Sequence, residues 1–195
     1  MHPHFQNGGH PMKRINAWIH DFIPHYFKFI YCALSLAFGI AAIITFVHGD
    51  ERLEEMIIPI GIMLLFAGAI NSTEYIISPR GERPSPAVMA EGVTTVFIAL
   101  FPLIEGPACA LLLPPVLELW ELFSGSVKVS ESLELLERKV KIWWLPITVG
   151  AIEILAGFFS LIGPLFFHLS PALVVTSVLV LQCLGYIIQL ILHGK

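Results

Sequence analysis

The sequence predicts an all-α fold, a polytopic membrane bundle of six transmembrane helices built from three helical-hairpin repeats. Three observations predict it. Of 195 residues, 56% are hydrophobic and 13% charged, against about 25% charged in an ordinary soluble domain. Mean hydropathy is +0.79, so lipid must cover apolar surface that one compact domain of this length cannot bury. Apolar runs of membrane-spanning length recur six times. The basic residues between those runs fall on one side of a six-span arrangement, all but Arg52.

The elements follow in order. Residues 1–26 form a cytoplasmic N-terminal tail and interfacial segment. Residues 1–12 carry no periodic pattern, and Ile15–Tyr26 (INAWIHDFIPHY) reads as a helix lying on the membrane surface. No cleavable signal peptide is evident: the first apolar run begins near Phe27, and no small-residue site follows it before Asp50-Glu51-Arg52. That run is expected to stay as the first anchor. A hydrocarbon core of about 30 Å needs about 20 apolar residues in a helix. The spans, in a transmembrane domain over 27–193, are about Phe27–Val47, Met56–Ile77, Pro86–Leu103, Ala108–Phe123, Trp143–Ile162 and Leu173–Leu192. The fourth holds Pro114-Pro115, Glu118 and Glu121 and is expected to be kinked or broken. Ser130–Ile142 reads as a short amphipathic helix on the inner surface.

Lys13, Arg14, Lys28, Arg80, Arg83, Lys128, Arg138, Lys139, Lys141 and Lys195 share one side of this arrangement. The positive-inside rule then places both termini in the cytoplasm. Trp120, Trp143 and Trp144, with Tyr26, Tyr31 and Tyr75, are expected in the inner aromatic belt.

Gly49, Gly106 and Gly163 stand 57 residues apart twice in succession, each closing an outer turn between two apolar runs. Ala42, Ala99 and Ala156 keep the same register, and Phe66-Ala67-Gly68 matches Phe123-Ser124-Gly125. The repeats cover about 27–77, 86–131 and 143–193, and parallel repeats are related by an axis along the membrane normal. Small residues such as Gly39, Gly68, Gly125, Gly150, Gly157 and Gly185 would let helices approach closely.

Paired spans with a Gly/Pro outer turn and a Gly-containing second helix resemble the short membrane repeat of the HdeD acid-resistance membrane protein family, over residues 27–193. The resemblance implies a cell inner-membrane protein of three hairpin repeats, non-enzymatic and linked to acid or envelope stress. It supplies no catalytic motif. The chain departs from the pattern in having Asp50, not proline, after Gly49, and in its intramembrane glutamates.

Those glutamates are the residues most suggestive of chemistry. Glu91, Glu118, Glu121 and Glu153 fall within the spans, at mid-depth or toward the inner leaflet. A charge at a helix centre costs about 2.5–3.5 kcal/mol on insertion scales, so such residues face the bundle interior. With Lys128 assigned to a loop, no Lys or Arg lies at matching depth to pair with them. Glu118 and Glu121 share one helix face at i and i+3. Two readings follow: a proton or cation site serving a small transporter or channel, or carboxyls that hydrogen-bond neighbouring helices as structural glue.

Other features exclude function classes. Net charge is −4, so no basic patch suggests nucleic acid. Cys32, Cys109 and Cys183 show no paired spacing and read as small apolar side chains. The His-rich start (His2, His4, His10, His20, His25) matches no metal site and reads as a solvated tail. Glu54, Glu55, Glu131, Glu134 and Glu137 read as solvated faces. No HExxH, GxSxG or phosphate-binding loop is present, so no enzyme, metal or cofactor is expected. The expected partners are the lipid bilayer, a second copy of the chain in a homo-oligomer, and an unidentified small molecule or ion.

Overall fold

The structure, a computed structural model, describes residues 11–78, 84–166 and 169–192. Among them are six α-helices: α1 (Pro11–His48), α2 (Leu53–Ile77), α3 (Pro86–Glu105), α4 (Leu113–Glu137), α5 (Trp144–Phe166) and α6 (Pro171–Leu192). No strand occurs among the described residues. Four stretches are long and apolar enough to cross a membrane: Tyr26–Ile77, Pro86–Cys109, Trp144–Ile162 and Pro171–Leu192. The first contains α1 and α2, joined by a 3₁₀ turn at Gly49–Arg52. α4 is not among them, because Glu118, Glu121 and Lys128 interrupt its apolar run. Phe29, Phe46, Phe97, Ile104 and Leu111 stand exposed on the outer surface. So large an apolar exterior fits a lipid environment better than water.

Several boundaries differ from the sequence expectation, each for a local reason. α1 runs unbroken from Pro11, so Ile15–Tyr26 is not a separate interfacial helix. Residues 1–10, with His2, His4 and His10, lie outside the described residues, as do Arg80, Arg83, His168 and Lys195. Pro114-Pro115 do not kink a span. They occupy the first turn of α4, where the amides they lack would have no intrahelical acceptor. α4 then continues to Glu137, so Ser130–Ile142 is not one surface helix. Its first half is the end of α4, and residues after Arg138 turn through Lys139, whose φ is +58°. Ser132, fully buried, donates to the Trp143 carbonyl and ties that turn down.

At one end of the bundle, Gly49 (φ +60°) and Gly106 (φ +56°) make the left-handed bends that reverse the chain. Gly163 does not: α5 extends through it to Phe166. The start of α6 is held by Asp50, whose Oδ1 accepts the Ala172 amide at 2.7 Å, an N-terminal cap supplied from across the bundle.

The most extensive helix contacts pair α2 with α3, α4 with α5 and α6 with α1, rather than the two helices of each outer hairpin. Missing side chains explain two of these seams. A Cβ on Gly68 would meet the Gly92 carbonyl at 2.6 Å, and one on Gly150 would meet the Gly125 carbonyl at 2.6 Å. Such approach gives close van der Waals packing where lipid offers no hydrophobic drive. On the α1–α6 seam the corresponding contact is Ser35 Oγ to the Cys183 carbonyl at 3.4 Å.

Burial repeats along the even-numbered helices. Ile57, Pro114 and Ala172 are buried, as are Ile60, Leu117 and Val175; Leu64, Glu121 and Leu179; and Ala67, Ser124 and Gln182. On the odd helices Tyr31, Val88 and Pro146 correspond, as do Phe38, Thr95 and Glu153, then Ala42, Ala99 and Gly157. The offset is 57 residues for the first step and 58 for the second, so Gly157, not Ala156, is the buried counterpart of Ala99.

Candidate functional site

The helix seams bring polar side chains from α3, α4, α5 and α6 together inside the bundle. Glu91 (α3), Glu121, Ser124 and Lys128 (α4), Glu153 (α5) and Gln182 (α6) are all buried, Ser124 and Glu153 completely. Lys128 Nζ donates to Glu153 Oε2 at 2.8 Å and to Ser124 Oγ at 2.7 Å, and lies 4.0 Å from Glu91 Oε1. Ser124 Oγ donates to Glu91 Oε1. Gln182 Nε2 donates to Glu121 Oε2 at 3.1 Å and reaches Ser124 Oγ at 3.4 Å. Ser124 is therefore the hub through which the charged groups meet. Gly125 and Gly150 make this possible: their contact draws α4 against α5 closely enough for Lys128 to reach Glu153.

Lys128 corrects the loop assignment. It sits on α4 at i+4 from Ser124 and i+7 from Glu121, on the buried face. The cluster thus holds the cation that the sequence reading placed outside the membrane. Three carboxyls against one ammonium still leave a surplus of two negative charges if all were ionised. Desolvation makes such a surplus very costly in a water-poor interior. Protons bound to the carboxyls would relieve it. Two carboxyl oxygens, Glu121 Oε1 and Glu153 Oε1, are buried without a hydrogen-bond partner, and each is a place where a proton can reside. Among the described residues no group of three His, Cys, Asp or Glu is arranged to hold a metal ion.

Of the four glutamates expected to act together, the structure joins Glu91, Glu121 and Glu153. Glu118 is buried but stands apart, its backbone carbonyl against the Gly157 position on the α5 seam. Trp120 is not a belt residue: it is buried, and its indole N–H donates to Thr95 Oγ1 at 2.9 Å behind Glu91. Trp144 is half-exposed, as a belt residue would be. Cys109 is buried and Cys183 half-buried, but Cys32 is exposed.

A second polar layer lies toward the ends of α2, α4 and α6. Tyr31 donates to Glu74, and Tyr31 and Tyr186 stack with centroids 5.8 Å apart. Asn71 hydrogen-bonds Tyr186. Glu131 is half-buried rather than on a fully solvated face: Gln189 Nε2 donates to both its oxygens, at 3.0 and 3.3 Å. Glu131 also lies within electrostatic reach of Glu74, Glu91 and Lys128. Glu134 instead pairs with Arg138 at 3.9 Å on the surface. A pocket of about 220 Å³ at the opposite end of the bundle is lined by Thr45, Phe46, Gly49, Ser170, Leu173 and Thr176 and touches none of the cluster. Comparison with protein-family models, with curated proteins and with solved structures found no significant match to this chain.

Proposed function

We propose that the chain is a non-enzymatic, multi-pass inner-membrane protein whose buried Glu91–Glu121–Lys128–Glu153 cluster takes up and releases protons. In this reading six helices cross the bilayer as three hairpin repeats around a pseudo-threefold axis, of the HdeD type that the sequence resembles. The support for the repeats is the shared burial register of α2, α4 and α6 and of α1, α3 and α5. The support for both termini being cytoplasmic is that, with Lys128 inside the bundle, every remaining Lys and Arg except Arg52 still falls on one side. A link to acid or envelope stress follows naturally for a protein that binds protons within the membrane.

The observation that carries the proposal is the charge imbalance: one ammonium, three buried carboxyls, and two carboxyl oxygens without a partner. Intramembrane ionisable residues face the bundle interior, pair with one another and mark ion pathways and proton relays. The close Gly125–Gly150 packing around the cluster favours a proton-responsive bundle over an open channel.

Infrared spectroscopy of the purified chain in lipid is the test. A protonated-carboxyl band is expected at neutral pH, reduced in Glu121→Gln and in Glu153→Gln and changing in amplitude with pH. Absence of any such band in the wild type would refute proton binding. Proton-driven flux in liposomes, if abolished by the same variants, would move the reading to a transporter.

A further inference from the structure

We infer that the cluster exchanges protons with one face of the membrane only, entering between Glu131 and Gln189, while a plug of Leu, Ile and Val side chains closes the other face. This rests on the proton-binding reading and adds its direction.

Burial and polarity change together along the bundle axis. At the ends of α4 and α6, Glu131 and Gln189 are half-buried and bonded to each other. One turn deeper stand Asn71, Lys128 and Tyr186, then Ser124 and Gln182, then Glu121. The titratable groups facing this column are Tyr31 from α1, Glu74 from α2, Glu91 from α3, Glu121, Lys128 and Glu131 from α4, Glu153 from α5 and Tyr186 from α6. Hydrogen bonds link Lys128, Ser124, Glu91, Glu153, Gln182 and Glu121 without interruption. Glu131 lies close enough to Lys128 to feel its charge. At a rise of 1.5 Å per residue, the column from Glu131 to Glu121 is about 15 Å long.

Beyond Glu121 the character reverses. Leu64 and Leu179 share its layer, and Ile60, Leu117, Val175 and Ile57 follow outward, each no more than 1% exposed and all in one apolar cluster. From Glu121 to the start of α4 at Leu113 this plug is about 12 Å deep. These six side chains offer a proton no acceptor. Two polar residues share that depth: the Glu118 backbone carbonyl faces Gly157 on the α5 seam, and Thr176 lines a pocket with Thr45.

The test uses the full chain in sealed, uniformly oriented proteoliposomes, with the infrared carboxyl band assigned through Glu121→Gln and Glu153→Gln. An acid step on the face carrying the C-terminus is expected to change the band promptly. The same step on the opposite face should leave it unchanged until a protonophore is added. Glu131→Gln should slow the response about a hundredfold, as loss of a positioned proton-transfer group does, with the final amplitude retained. Should that variant fail to fold, Gln189→Leu carries the same expectation, and the wild-type sidedness needs neither. Equal or faster response from the opposite face overturns the inference, and so does unchanged speed in the mouth variants. A wild-type band that ignores pH even with protonophore present would instead overturn proton binding itself.

Discussion

Replacing Lys128 with methionine tests the charge balance most directly. The variant keeps the length of the side chain but removes the ammonium 2.8 Å from Glu153 and 4.0 Å from Glu91. At an effective dielectric of about 20, the nearer contact alone is worth about 6 kcal/mol of attraction. Burying the ammonium costs part of that back, and the variant has an escape: Glu153 can take up a proton. From a reference carboxyl value of about 4.3 and about 1.36 kcal/mol per unit, that uptake costs about 3.7 kcal/mol at pH 7, which sets the ceiling on the loss. The sign with pH follows. Above about pH 4.3 folding of the variant takes up one more proton than folding of the wild type, so its deficit relative to wild type grows as pH rises. The deficit relative to wild type should shrink to about 1 kcal/mol near pH 5. Reversible unfolding in bicelles at the two pH values measures this, and adding Glu153→Gln to the methionine variant should restore most of the loss at pH 7. A single variant as stable as wild type at pH 7, or a double variant no better than the single, would refute the reasoning.

Two further substitutions probe the scaffold. Gly150→Ala drives a Cβ to 2.6 Å from the Gly125 carbonyl and 3.1 Å from Lys128 Cβ; overpacking of this kind costs about 1–3 kcal/mol, and loss of the Lys128–Glu153 contact should appear as an altered carboxyl band. Asp50→Ala removes the cap from the α6 amide and should cost about 1 kcal/mol, read as a lowered melting temperature with the carboxyl band unchanged.

The apolar helices were legible because hydrophobic runs of fixed length leave few other options in lipid. Burial of Glu91, Glu121 and Glu153 was legible for the same reason. Lys128 was not, because basic residues near span ends were read as loop markers. The signal that could have found it is local: Glu121, Ser124 and Lys128 recur at helical spacing on one face, in line with Gly125, the residue that lets α5 approach. Pro114-Pro115 misled because prolines near an apolar run suggest a kink, whereas at the first turn they begin a helix. Ser124 and Gln182 carried no sequence signal of their own. Their importance comes from α4 and α6 meeting across 58 residues of chain, which only the packing reveals.

Because α6 lies against α1, the ring closes between two helices far apart in the order of synthesis. Until α6 leaves the ribosome, α1 keeps an uncovered flank, and Glu121 waits for the amide of Gln182. In the six-span reading, Lys128 enters the bilayer on α4 before Glu153 arrives on α5. Nascent chains stopped short of Pro171 would therefore present an unsealed groove and a Glu121 carboxyl without its Gln182 partner, the kind of surface that membrane quality-control proteases survey.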